Sequence, residues 1–180
     1  LGDVYKRQIL DLSKIESNTM EFYFGDQSLH TLLSDIYQSQ LLTMPPQVEL
    51  RLELPQADTT IRTDASRLKQ VINNLINNAA KFTDRGSITF GYRTDEGAGE
   101  VELFVRDTGK GISQEHVGRI FERFYKTDLS RGKDKKGSGL GLSIVKEIIQ
   151  AHDENINVIS TEGVGTEFIF TLPAAQREEL

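Results

Sequence analysis

Apolar residues recur every three or four positions in four parts of the chain, a pattern that predicts four amphipathic helices. The predicted helices cover residues 9–16, 29–37, 65–85 and 142–152. The third begins after Asp64, a residue type that caps helix N-termini well, and it ends by Gly86. A further short helical segment is expected at 117–124.

Polar and apolar residues alternate in the stretches between these helices, which is typical of strands. The predicted strands cover residues 48–54, 87–94, 100–106, 156–161 and 167–172. Helices and strands therefore alternate along the chain, with hairpins in the middle and at the end. This order predicts an α/β fold in which helices cover one face of a mixed sheet.

Composition excludes several classes of protein. The 180 residues carry 21 Lys and Arg against 27 Asp and Glu, a formal net charge of -6, so we expect no nucleic-acid partner. The absence of cysteine excludes disulfides, thiolate nucleophiles and thiolate metal clusters, and it fits a cytoplasmic location. Because no apolar stretch approaches the roughly 20 residues that cross a bilayer, we also expect no membrane contact by this chain.

The helix after Asp64 contains an unusual number of asparagines, although asparagine is a poor helix former. Asn74, Asn78 and Lys81 lie three or four positions apart and therefore share one stripe of the helix. Two interpretations remain open at this point. The stripe is either a polar flank in contact with water or a row of amides and one ammonium that faces a charged ligand, such as a metal phosphate.

Glycines cluster at residues 107–112, 137–142 and 163–166. The first cluster follows a predicted strand and the second precedes a predicted helix, positions at which backbone N–H groups can approach a phosphate closely. Each cluster alone is typical of an ordinary turn. Neither the GxxxxGK[ST] pattern nor a GxGxxG motif that opens a βαβ unit is present, so a bound nucleotide would require a different fold.

Five segments in order carry a family resemblance: RLKQVINNLINNAAKF, DTGKGI, IFERFYKTD, GSGLGLSIV and GVGTEF. Together they resemble the catalytic, ATP-binding domain of sensor histidine kinases, within the superfamily of gyrase, the Hsp90 chaperones and MutL. The resemblance covers about residues 22–172. It implies a two-layer α/β sandwich in which three helices cover one face of a mixed five-stranded sheet, with a flexible ATP lid.

The resemblance implies a base-binding pocket around Asp107, whose carboxylate would accept a hydrogen bond from the amino group of adenine and so select ATP over GTP. Further implied contacts to the nucleotide come from residues in three of the motifs: Gly109, Gly111, Ile112, Phe121, Phe124 and Thr166. Plain packing is an equally good explanation for the two phenylalanines, and a structural turn is an equally good one for Thr166.

The resemblance also implies a phosphate and magnesium site. Asn78 matches the asparagine that ligates magnesium, Asn74 lies beside it, and Lys81 lies within reach of phosphate. Lys126 belongs to a cationic segment at the position of the ATP lid, where a solvated charge run is the alternative. The turn into the last helix would face the phosphates with Gly137, Gly139, Leu140, Gly141 and Leu142.

Four segments follow from the same comparison. Residues 1–8 show no helical stripe and are treated as an assembly scar. Residues 9–21 resemble the end of the second helix of a dimerisation and phosphoacceptor hairpin. Residues 22–173 would form the catalytic domain, and residues 174–180 a tail. None of the histidines lies in the family's phosphoacceptor pattern, so we expect the acceptor histidine to be absent from this chain.

The implied function is that of a protein-histidine kinase domain. Its partners would be ATP with magnesium, the histidine-bearing hairpin of the parent kinase and a response-regulator receiver domain. The parent would be a homodimer, and an anchor in the inner membrane would be compatible with this function. A nucleotide-dependent interaction module or an anti-sigma-type serine kinase shares most of the motifs. The segment LDLSKIE favours the sensor kinase, since a hairpin helix has no role in the alternatives.

Overall fold

The computed structural model describes residues 2–16, 21–95, 97–122, 125 and 141–175. The helices are α1 (Gly2–Glu16), α2 (Leu29–Leu41), α3 (Ala65–Phe82), α4 (Gln114–Val117) and α5 (Gly141–Ala151). The strands are β1 (Gly25–Ser28), β2 (Val48–Glu53), β3 (Thr60–Thr63), β4 (Gly86–Asp95), β5 (Glu100–Asp107), β6 (Ile156–Thr161) and β7 (Gly165–Pro173).

Five strands form a mixed sheet in the order β2-β4-β5-β7-β6. The pair β2 and β4 is parallel, whereas the other three pairs are antiparallel. A separate two-stranded sheet joins β1 to β3. The predicted mixed five-stranded sheet is therefore confirmed.

Three helices, α2, α3 and α5, pack on one face of this sheet around a single apolar core. The strands supply alternate residues to that core, as Ile88, Phe90 and Tyr92 of β4 show, each at most 2% exposed. Arg93 and Glu102 form an ion pair from adjacent positions of β4 and β5, with 51% and 41% of their side chains exposed. The alternation read from the sequence thus identifies the buried face, and the two-layer α/β sandwich is confirmed.

Asp64 fixes the start of α3. Its Oδ1 atom accepts a hydrogen bond from the backbone N–H of Arg67 at 3.1 Å, the N-cap interaction that the sequence predicts. Its Oδ2 atom accepts a second hydrogen bond from the backbone N–H of Tyr23 at 2.9 Å. One buried carboxylate therefore holds both the central helix and the segment that follows α1.

Some boundaries differ from the prediction. Helix α1 begins at Gly2, so the described part of residues 1–8 is helical although its sequence shows no helical stripe. Once a helix has nucleated, extending it by further residues costs little even without a strong apolar stripe. The assignment of residues 1–8 and 9–21 to an assembly scar and a hairpin helix stays a prediction.

The short helix and the chain end also lie elsewhere than predicted. Helix α4 covers Gln114–Val117, because Ser113 stands at its N-cap and Gly118 ends it, and the described residues that follow form hydrogen-bonded turns. Ala174 bridges Ile61 of β3, so the ordered contacts continue past the predicted boundary at residue 173. Strands β1 and β3 were not predicted because each has only four residues, too few to establish an alternation.

Within the described part of the chain, no helix is long and apolar enough to cross a membrane.

Replacing Asp64 with alanine removes both hydrogen bonds to the backbone. We expect the free energy of unfolding to fall by about 1–2 kcal/mol, as for the loss of other N-caps. Ser113→Ala is the matched control, since Ser113 is an N-cap whose side chain makes no capping hydrogen bond. Its free energy of unfolding should change by less than about 0.5 kcal/mol. Urea denaturation measures both values, and equal losses would contradict this account of Asp64.

Candidate functional site

The apolar face of the sheet becomes polar at one end. Asp107 of β5 lies opposite Thr166 of β7, and Thr166 lies opposite Ser160 of β6. All three occupy positions that face the helices, in phase with core residues such as Val105 and Phe168. Each residue is at most 8% exposed, so three polar side chains are buried side by side on three adjacent strands.

The carboxylate of Asp107 is held by backbone groups. Its Oδ1 atom accepts a hydrogen bond from the N–H of Gly109 at 2.9 Å. Burial raises the pKa of the Asp107 carboxyl, and hydrogen bonds from the N–H groups of Gly109 and Thr166 offset only part of that rise. Among the described residues no cation pairs with it, and the neighbouring Lys110 instead lies 3.3 Å from Asp84. The site therefore keeps a buried acceptor whose charge no side chain in the described part of the chain balances.

The turn after Asp107 is pressed against two other elements, which requires glycine at two positions. A Cβ atom on Gly109 would lie 2.2 Å from the carbonyl oxygen of Phe82, at the end of α3. A Cβ atom on Gly111, whose φ is +71°, would lie 2.2 Å from the carbonyl oxygen of Thr161. The Phe82 carbonyl also accepts from the N–H of Lys110 at 2.9 Å. The first glycine cluster thus joins α3 to the β6–β7 turn.

The asparagines of α3 divide into two groups. Asn73 and Asn77 accept hydrogen bonds from the side chain of Gln40 at 2.9 and 3.3 Å, so this pair ties α3 to α2. Asn74 lies on the other flank and donates to the carbonyl oxygen of Gly141 at 3.4 Å, at the start of α5. Asn73 and Asn77 therefore link two helices and lie outside the stripe of Asn74, Asn78 and Lys81.

Asn78 belongs to the Asn74 flank, one turn further along α3 and one turn before Phe82. It is half-buried, whereas Lys81 is exposed. Since Phe82 contacts the turn that follows Asp107, the Asn74 stripe runs from the start of α5 towards the buried carboxylate. The residues predicted to bind phosphate therefore lie on a helix whose end contacts the turn after Asp107, the residue predicted to bind the base.

The other predicted site residues fall into three groups. Gly141 and Leu142 begin α5, and Leu142 packs against the core. Ile112 is buried, and Phe121 packs edge-to-face on Phe168 with ring centroids 6.1 Å apart, which fits the packing interpretation. Five residues lie outside the described part of the chain, namely Phe124, Lys126, Gly137, Gly139 and Leu140. Their assigned roles stay predictions.

Ser160 is a residue of this site that the sequence interpretation missed. It accepts a hydrogen bond from the backbone N–H of Ile112 at 2.7 Å and lies 2.7 Å from the hydroxyl of Thr166. The sequence pattern indicates this residue, because Ser160 is a polar residue in phase with Ile156 and Val158, the residues of β6 that face the core. A polar residue in the apolar phase of a strand indicates either strain or a site.

Comparison with known proteins identifies the family. A family model described as histidine kinase-, DNA gyrase B- and HSP90-like ATPase matches residues 63–176, more than half of the chain. The chain belongs to this family. The fold and the ordered glycine and asparagine motifs agree with the match, so the resemblance read from the sequence is confirmed.

Curated relatives are sensor kinases. Sensor histidine kinase WalK of Bacillus subtilis is 35% identical over 172 residues, which are 95% of this chain and 28% of WalK. Sensor protein SrrB of Staphylococcus aureus is 46% identical over 110 residues, 61% of this chain and 19% of SrrB. The chain therefore spans less than a third of the length of these relatives.

Solved structures agree in fold. Full-length ShkA in complex with AMPPNP superposes with a TM-score of 0.83 at 27% identity, over 97% of this chain and 36% of ShkA. The catalytic domain of histidine kinase ThkA superposes with a TM-score of 0.69 at 30% identity, over 86% of this chain and 98% of that domain.

The raised pKa of Asp107 has a consequence for stability. At neutral pH its ionised carboxylate is disfavoured in the folded chain relative to the unfolded one, so Asp107→Asn should raise the free energy of unfolding of the ligand-free protein. The gain should shrink as the pH falls through the raised pKa and vanish below the unfolded value of about 3.9. Urea denaturation from neutral pH to below the unfolded value of about 3.9 measures the difference.

Glu100→Gln provides the control for this measurement, because it removes an exposed carboxylate from the other end of the same strand. This variant should not gain stability at neutral pH. A loss of stability in Asp107→Asn at pH 7 would contradict the conclusion that the buried charge opposes folding.

Proposed function

We propose that this chain binds ATP with magnesium and acts as the kinase domain of a two-component sensor histidine kinase. It would transfer the γ-phosphoryl group to a histidine on a hairpin domain, for relay to an aspartate of a response-regulator receiver domain. One observation carries the proposal: the buried Asp107 acceptor and the Asn74 flank of α3 are joined by the contact between Phe82 and the turn after β5.

Asp107 would recognise the base. An ionised carboxylate only accepts hydrogen bonds, so it pairs with the amino group of adenine and not with the carbonyl of guanine. Guanine would leave a buried acceptor unpaired, so we expect ATP to be preferred over GTP by a factor on the order of 10² or more. The match of ShkA, solved with the ATP analogue AMPPNP, supports a nucleotide in this fold.

The Asn74 flank would hold the phosphates. The amide oxygen of Asn78 is a suitable oxygen ligand for magnesium, and Asn74 and Lys81 lie on the same stripe. An amide is uncharged, so phosphate oxygens would balance most of the charge of the ion. Magnesium would neutralise charge on the triphosphate, and Lys126 is the proposed further cation from the lid.

The acceptor histidine would come from another segment of the parent protein. His152 is engaged in the fold, with Nδ1 2.8 Å from the carbonyl oxygen of Ile148 and Nε2 3.3 Å from the hydroxyl of Thr63. His116 hydrogen-bonds the hydroxyl of Tyr125, and His30 packs edge-to-face on Tyr92. These contacts support a kinase domain that phosphorylates a separate hairpin rather than itself.

The helix ahead of the domain supports the sensor kinase over an interaction module or an anti-sigma-type serine kinase. Helix α1 has 15 residues, contains LDLSK and contacts α5. The named relatives WalK and SrrB are sensor proteins as well. In the parent protein, α1 would continue a dimerising hairpin, so that the full-length kinase would be a homodimer with this domain in the cytoplasm.

Asn78→Ala should weaken magnesium-dependent binding of a non-hydrolysable ATP analogue by about tenfold, the value of one interaction with a charged group. In the presence of a chelator the variant and the unaltered chain should bind equally. Asn77→Ala is the matched control, because Asn77 is the neighbouring residue but bonds Gln40 on the other flank. Calorimetry measures each affinity, and a larger loss in Asn77→Ala would exclude the proposed ligand.

The kinase activity itself is tested by supplying the missing acceptor. With labelled ATP and magnesium, the chain alone should incorporate no stable label, whereas an added histidine-bearing hairpin of a related sensor kinase should become labelled. The label should be acid-labile, as phosphohistidine is, and Asp107→Asn should reduce the rate of labelling. Label on one of this chain's own three histidines, or none on any hairpin while ATP still binds, would refute the kinase assignment.

A further inference from the structure

Ser160 is buried at the centre of a three-way hydrogen-bond junction. Its Oγ atom lies 2.7 Å from the N–H of Ile112, 3.1 Å from the carbonyl oxygen of Gly165 and 2.7 Å from the hydroxyl of Thr166. The three partners belong to the turn after β5, the first residue of β7 and the inner face of β7. One hydroxyl therefore connects the segments that surround Asp107.

The direction of these hydrogen bonds follows from counting protons. A serine hydroxyl has one proton to donate and two lone pairs to accept with. The N–H of Ile112 can only donate, and the carbonyl of Gly165 can only accept. All three hydrogen bonds form together only if Ser160 donates to Gly165 and accepts from both Ile112 and Thr166. The proton of Thr166 is then committed to Ser160.

A threonine hydroxyl whose proton is committed can only accept from a ligand. Thr166 lies opposite Asp107 in the β5–β7 register, and an ionised Asp107 also only accepts. The polar end of the sheet therefore offers two acceptors and no side-chain donor from these two residues. Two such acceptors suit a ligand group that donates hydrogen bonds.

We propose that Ser160 is a positioning residue for base selection: by taking the proton of Thr166, it makes the pocket accept from a 6-amino purine and reject a 6-oxo purine. The inference rests on the proposed nucleotide binding. Without Ser160, the proton of Thr166 is free to turn towards the ligand. The oxo group of a 6-oxo purine can then accept a hydrogen bond from the hydroxyl of Thr166, which does not donate to it in the unaltered protein.

The test compares the dissociation constants of ATP and inosine triphosphate, both with magnesium, for each variant by calorimetry. Inosine carries an oxo group at position 6 in place of the amino group. In Ser160→Ala the preference for ATP should fall by about tenfold. Ser160→Thr keeps the hydroxyl and should keep the preference. In a Thr166→Val background, Ser160→Ala should change the preference no further.

The outcomes separate this role from a structural one. A structural role for Ser160 predicts that both nucleotides weaken by the same factor, and that result would overturn the inference while leaving the proposed function intact. Failure of the unaltered chain to bind either nucleotide would overturn both. If Ser160→Ala does not fold, Ser160→Cys takes its place, because a thiol is a weak acceptor and should lower the preference in the same direction.

Discussion

The candidate site depends on one backbone contact, the hydrogen bond from the N–H of Lys110 to the carbonyl oxygen of Phe82. It brings the end of α3 against the turn after β5, and Gly109 permits the approach because a Cβ atom there would overlap the same carbonyl. The helix delivers the amides and the strand delivers the carboxylate. Neither element alone could bring both groups together, so this close contact defines the candidate site.

The candidate site contains buried polar groups that oppose the stability of the fold. Asp107 is buried without a cation among the described residues, and Ser160 and Thr166 fill positions that apolar residues occupy elsewhere on the inner face. The fold tolerates these groups because backbone N–H groups and neighbouring hydroxyls satisfy them. The apolar core under three helices offsets the unfavourable free energy of burying these polar groups.

Much of this architecture could be predicted from the sequence. The stripe from Leu68 to Ala79 and the alternation in β4 and β5 identify the buried faces, because burial repeats with the period of each element. The pairing of Asn73 and Asn77 with Gln40 could not be predicted, since it depends on where α2 packs. Ser160 was missed because no motif marks it, and its role depends on the register of β6 with β7.

The two hydrogen bonds of Asp64 couple the position of α3 to that of the chain ahead of it. One oxygen holds the first turn of α3 and the other holds Tyr23, which follows α1 after a short segment. Movement of the chain ahead of the domain would therefore pull directly on the axis of the amide-bearing helix. Rotation of the preceding helix would in this way tilt α3, and with it Asn74 and Asn78, through a single side chain, without unfolding either element.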